Sequence, residues 1–299
     1  MLKNILTQNT LLIGYQKNWY NILTLGFMHN ALIGGTLVAL AAGLVGYFVV
    51  LRNSIFAAHA LSHIGIPGAT GAALIGMSGS IGFGVFCIFG ALIIGLLDIE
   101  FNNYEITTSI LLTLSTGFGL LFNTLARKNS SLLINMLFGN LLSINEEELL
   151  MFSMMLVVLT ATILLIYRPL LFSSINSEVA NAKGVPVRVF SILFMIILGA
   201  TVSMTVLFIG TLLLFALMVT PAATAIIITN RPVIAIVMSI IINIMSVWFG
   251  LLISVIFNFP PSFAIVLLAC TFWVIVQLVS WVKNIYIVKL LKHFSLKIH

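Results

Sequence analysis

An all-α integral membrane fold, a polytopic helix bundle, is what this sequence predicts, and three observations carry the prediction. The 299 residues are 61% hydrophobic and only 7% charged, against roughly 25% charged in an ordinary soluble domain. The apolar residues gather into runs of the length that crosses a bilayer, about 20 residues each. Nine such crossings would take about 180 residues and leave about 120 for turns, ends and surface helices. No stretch is then long enough for a separate aqueous domain, which excludes a catalytic head, a receptor domain or a built-in ATPase.

Residues 1–26 open the chain with Lys3 but no continuous apolar stretch, because Gln8, Asn9, Gln16, Lys17 and Asn18 interrupt it. No cleaved leader is expected there. The segment reads instead as an interfacial amphipathic helix with Trp19 and Tyr20 at headgroup depth. The transmembrane domain occupies 27–283, with spans near 28–51, 57–78, 80–99, 107–125, 149–167, 189–209, 211–229, 233–256 and 262–282. An eight-span count stays open. The short apolar segment 132–143, beside Glu146, Glu147 and Glu148, cannot span and reads as re-entrant or interfacial. Gly68, Ala72 and Gly76 repeat every four residues in the second span and offer a close-packing stripe. Pro67 and Pro221 fall inside spans, where proline bends or breaks a helix.

Charge sets the orientation. The net charge of +6 comes from thirteen Lys and Arg against seven acids, which in a polytopic chain reports sidedness rather than nucleic-acid binding. A cytoplasmic basic tail over 284–299 also places Arg52, Arg168, Lys183, Arg188 and Arg231 inside, while Lys3, Lys17, Arg127 and Lys128 fall outside. The longest cytoplasmic connection then runs over about 168–188. It is the only polar stretch large enough to receive a soluble partner.

An ionisable group at mid-membrane costs about 2.5–3.5 kcal/mol on insertion scales, so each one away from the ends needs a functional reason. Asp98 and Glu100 read as a solvated helix end, and His29 as an interfacial cap. His59 and His63 are different: a spacing of four puts both imidazoles on one helix face, where two nitrogens can bind one divalent ion. Thr70 continues that face, and Glu105 is a further candidate along a path. Two neutral imidazoles suit zinc, and iron or manganese if carboxylates join them. Cys87 and Cys270 lie far apart and form no metal or redox motif, so both read as small apolar fillers. The chain has no GxxxxGK(S/T) loop, no HExxH and no GxSxG, so no motif supports energy conversion or hydrolysis within it.

From about Ala31 to Lys283 the chain resembles the permease subunits of the bacterial metal-ion (zinc, manganese and iron) ABC importers, the ABC-3 type. Val50-Leu51-Arg52 is similar to the family's close of the first span. His59-Ala60-Leu61-Ser62-His63 followed by Pro67-Gly68 is similar to its Asp-x-x-x-His and Pro-Gly. Glu105, Leu137-Phe138-Gly139, Asn176-Ser177-Glu178-Val179-Ala180 with Gly184-Val185, and Gly210-Thr211-Leu212-Leu213 with Pro221-Ala222-Ala223-Thr224-Ala225 complete the series in family order. The resemblance implies that His59 and His63 lie on a metal path, with imidazole replacing the family carboxylate at 59. It also implies that Glu178, Ala180, Gly184, Val185 and Arg188 belong to a cytoplasmic coupling helix that docks on an ATPase, with Asn176 in place of an acid.

It further implies a location in the bacterial cytoplasmic membrane and an assembly with a second copy of the permease, a cytoplasmic ABC ATPase and an extracytoplasmic metal-binding protein. No permanently bound cofactor is expected, the divalent metal ion being the transported substrate. Two other classes compete with this reading: a gradient-driven metal transporter or channel, and an intramembrane metallohydrolase needing a third ligand and a base.

Overall fold

The computed structural model describes residues 26–101, 104–126, 136–137, 139 and 141–295. Almost all of the expected interfacial segment 1–26, half of 132–143, and Arg127 and Lys128 therefore lie outside the described residues, as do the side chains of Asp98, Glu100 and the basic tail. The described helices are α1 (Gly26–Leu51), α2 (Ile55–Leu74), α3 (Gly79–Phe101), α4 (Tyr104–Ala126), α5 (Glu146–Ile175), α6 (Ser177–Ala182), α7 (Val187–Ile209), α8 (Thr211–Ile228), α9 (Pro232–Phe257) and α10 (Pro261–Ser295), with a 3-10 turn at Leu141–Ser143 before α5. No strand occurs among the described residues. The fold is the all-α membrane bundle that composition predicts.

Eight of these helices are long and apolar enough to cross a membrane. The long helix outside that set is α2, whose 20 residues rise about 30 Å, the thickness of the hydrocarbon core. Its His, Ser, Gly and Ala content lowers its hydropathy, and most of its residues are buried against protein instead. Eight crossings thus stand on composition, and α2 is a ninth by length.

Helix α1 is the hub, packing on α9, α8 and α5, while α2 packs on α3 and α4. In both, absent side chains set the spacing. A Cβ at Gly46 would overlap the Met218 carbonyl of α8, and one at Gly68 would overlap the Gly82 carbonyl of α3. Small residues at such crossings let backbones meet, which is how membrane helices gain dispersion contact without a hydrophobic driving force between them. Gly68 and Ala72 of the expected stripe both meet α3. Gly76 does not: α2 ends at Leu74, and Gly76 sits in the turn beyond it at φ +78° with nothing near it.

One connection differs from the sequence expectation. Helix α5 does not stop at 167 but runs through Arg168 and Pro169 to Ile175, so the first part of the expected 168–188 connection is helical continuation. Proline there only leaves one backbone acceptor without its helical donor. Between α7 and α8 a single residue, Gly210, turns the chain at φ 81°, ψ 165°, a conformation open to glycine and closed to other L-residues. Gly139 presses on this turn, since a Cβ on it would overlap the Ile209–Gly210 peptide.

Helix ends are closed by local chemistry. The Asn145 backbone N–H donates to Glu148 Oε2 at 3.1 Å at the start of α5. Glu146, Glu147 and Glu148 in its first turn complement the helix dipole. Asn258 ends α9 in the left-handed conformation. Pro232 and Pro261 open α9 and α10, positions where a missing N–H costs nothing.

Candidate functional site

The site begins where α1 gives way to α2. Asn53 adopts φ 55°, and Ser54 N–H donates to Val49 O at 2.8 Å, so a short turn reverses the chain. Helix α2 then starts at Ile55, with His59 in its second turn and His63 one turn further. Their ring centroids lie 4.8 Å apart with planes at 68°, within reach of one ion held at about 2.0–2.1 Å from a nitrogen of each ring. Both residues are partly exposed while their neighbours Ala60, Leu61 and Ser62 are buried. The imidazoles therefore mark the open stripe of an otherwise enclosed helix turn.

Helix α8 supplies the third member. The ring of Phe215 meets His59 edge-on at 5.1 Å, placed there because α8 begins only four residues earlier, at the Gly210 turn. His59 Nδ1 is buried and has no hydrogen-bond partner among the described residues. An unsatisfied buried nitrogen costs free energy, so the ring carries a vacant lone pair or donor at its protein-facing edge. Phe215 gives no signal in the sequence, where one phenylalanine among 22 carries no chemistry of its own.

The other candidates are placed apart from the pair. Thr70 is eleven residues beyond His59, about 16 Å of helix rise, and is buried with its hydroxyl donating to Ile66 O at 3.0 Å and to Pro67 O at 3.3 Å. Glu105 stands exposed in the first turn of α4. No group of three or more His, Cys, Asp or Glu that could hold a metal occurs among the described residues. Cys87 is buried and donates to Leu61 O at 3.3 Å, whereas Cys270 is exposed. Among the described residues the site is thus one pair of imidazoles rather than a closed cage.

At the far end of α5 lies the short helix α6. Asn176 caps it by accepting the Val179 N–H at 3.0 Å, and Asn serves as an N-cap as well as Asp does, so the absent acid leaves the cap intact. Val185 N–H returns to Ala180 O at 3.0 Å with Gly184 at φ 80°. Ala180 is fully buried; Glu178, Gly184 and Arg188 are exposed, and Val185 is half-buried. Lys183 lies over the Phe172 ring at 5.6 Å. The result is a rigid, surface-presented turn of helix anchored through one alanine.

An all-α bundle of long apolar helices, with an imidazole pair on a mostly buried helix and a capped polar helix at one end, defines a class: a polytopic membrane protein. The chain belongs to the ABC 3 transport family, whose model matches residues 24–280. It is similar to the manganese transport system membrane protein MntC of Halalkalibacterium halodurans, 30% identical over 84% of this chain and 86% of that one. It is also similar to the high-affinity zinc uptake system membrane protein ZnuB of Buchnera aphidicola, 28% identical over 79% of this chain and 90% of that one. Among solved structures it matches PsaBC from Streptococcus pneumoniae in complex with Fab, at a TM-score of 0.76 and 30% identity, covering 87% of this chain and 94% of that chain.

Proposed function

We propose that this chain is the membrane-spanning permease subunit of an ATP-driven importer for divalent transition metal ions, forming the translocation path and coupling to a separate ATPase. The observation that carries the reading is the half-open His59–His63 pair on the buried helix α2. Relatives named for manganese and zinc transport support metal as the substrate.

Zinc is the first choice of ion. Imidazole at position 59 offers a borderline nitrogen where a carboxylate would offer a hard oxygen, which favours zinc over manganese or iron. Two nitrogens are half of a tetrahedral set, and a second copy of the permease facing the first would complete it with its own pair. Such a site stays shallow enough to release its ion, as conduction requires. Glu105 and Thr70 would lie further along the path.

The end that bears α6 is cytoplasmic in this reading, in the bacterial cytoplasmic membrane. Glu178, Ala180, Gly184, Val185 and Arg188 would form the docking element for the ATPase, and an extracytoplasmic metal-binding protein would deliver the ion to the opposite face. ATP binding would draw the ATPase subunits together, and the docked helices would carry that movement into the bundle.

The test is reconstitution of the full complex in proteoliposomes with a panel of divalent ions. Zn²⁺ uptake is expected to require ATP and to fall to background in the His59→Ala/His63→Ala double variant, with assembly unchanged on size-exclusion chromatography. Uptake that ignores ATP, or that survives loss of both imidazoles, refutes the proposal.

A further inference from the structure

One side chain, just ahead of the histidine helix, bonds to both helices that flank α6. Arg52 lies just past the last residue of α1, and its guanidinium reaches sideways to two other elements. Nη1 donates to Ser173 Oγ at 3.4 Å and to Ser174 Oγ at 3.2 Å, both in the last turn of α5. Nη2 donates to Ser191 Oγ at 2.6 Å, in the second turn of α7. The guanidinium carbon also lies 5.2 Å from the centroid of the Phe194 ring on α7. The end of α5 and the start of α7 are the two stems between which α6 is held, so Arg52 grips both stems at once.

The grip matters because of its nearness in the chain to the paired imidazoles. Only Asn53 and Ser54 separate Arg52 from α2, and His59 comes seven residues after it. The linker is tight rather than loose, because Arg52 N–H is bonded to Phe48 O at 2.9 Å, Asn53 N–H to Val50 O at 3.2 Å and Ser54 N–H to Val49 O at 2.8 Å. A displacement of Arg52 therefore displaces the first turns of α2.

Beside the grip lies a polar cavity of about 410 Å³, whose walls include Arg52, Ser173, Ser174, Asn176, Ser177 and Glu178. The grip thus lies beside an open polar groove rather than within the packed core.

We propose that Arg52 is the positioning residue that passes movement of α6 to α2 and so couples events at the docking helix to the His59–His63 pair. The proposal rests on the reading of α6 as the ATPase-docking element. Arginine fits the task because its planar fork presents five donors in fixed directions and can hold two stems together, whereas lysine presents one compact point of charge. The three serine hydroxyls that Arg52 reaches are neutral, and charge-assisted bonds to them are stronger than neutral ones.

The experiment measures Zn²⁺ transported per ATP hydrolysed by the full reconstituted complex. It compares wild type, Arg52→Gln, Arg52→Lys, and the triple variant Ser173→Ala/Ser174→Ala/Ser191→Ala, which keeps the charge and removes these three hydroxyl acceptors. ATP hydrolysis is expected to stay within about twofold of wild type, while ions moved per ATP drop about tenfold in Arg52→Gln and in the triple variant, with Arg52→Lys between. Combining Arg52→Gln with the triple variant should add nothing further, as for residues acting through one shared contact. Transport and hydrolysis that decline together, or a ratio that does not change, overturns the proposal. If Arg52→Gln fails to assemble, the triple variant decides on the same criteria. A wild-type complex without ATP-dependent uptake refutes the importer reading itself, whereas normal wild-type coupling with an unchanged variant ratio refutes only the role of Arg52.

Discussion

Helices α2 and α5 invert the usual equation between hydropathy and membrane insertion. Helix α5 is among the most apolar of the bundle, yet little of its apolar window is buried inside the protein, and Leu165 on it is 84% exposed. Helix α2 falls short of the hydropathy of a crossing segment and is nonetheless enclosed for most of its length. In this pair, low hydropathy accompanies enclosure by protein rather than too short a helix. The helix that touches lipid must be greasy; the helix shielded from it is free to carry glycine, serine and a pair of histidines.

The sharpest way to break this contrast is to put bulk into α2. Gly68→Leu would drive a side chain into the Gly82 carbonyl and the Phe86 ring of α3, and overpacking of this kind costs typically about 1–3 kcal/mol or more. The expected outcome is loss of monodisperse protein after detergent extraction, measured by fluorescence-detected size-exclusion; a normal profile would show that the α2–α3 contact yields easily.

A milder change keeps the fold and alters the chemistry of the open stripe. His59→Asp restores a hard oxygen donor, so selectivity should move from Zn²⁺ toward Mn²⁺ in competition uptake, since carboxylate suits manganese and imidazole suits zinc. The same variant should lose less uptake in acid than wild type, because metal binding requires each imidazole to be deprotonated and only one would remain. Unchanged ion preference would mean that position 59 does not select. The smallest effect is expected on α5. Leu165→Ala should leave extraction profile and uptake near wild type, as substitutions away from packed or paired features usually stay within about 0.5 kcal/mol, and a large defect would place Leu165 against a partner subunit instead of lipid.

Much of this molecule is legible in its sequence, for reasons that differ by region. Span limits such as 211–229 come within a residue of α8 because Gly210 and the Thr229–Arg231 break are chemically loud. The paired histidines are equally visible, since a spacing of four on a helix is a geometric statement. The extension of α5 is hidden because Arg168-Pro169 reads locally as a stop, while a helix already committed over 22 residues absorbs one missing N–H. Phe215 and Ser191 are hidden for another reason. Their roles exist only through contacts with His59 and Arg52, residues remote in sequence, and no local pattern distinguishes them from the many other phenylalanines and serines.

The length of α5 carries a consequence for where a partner would meet this chain. From Glu148 to Arg168 the helix rises about 30 Å, one hydrocarbon thickness, so these two charges can sit at opposite edges of the oily layer. The seven residues from Pro169 to Ile175 then project about 10 Å further, through the depth of the headgroups. On the proposed reading, helix α6 is carried on a stalk beyond the oily layer, within reach of a soluble partner, and a thicker or thinner bilayer would shorten or lengthen that stalk.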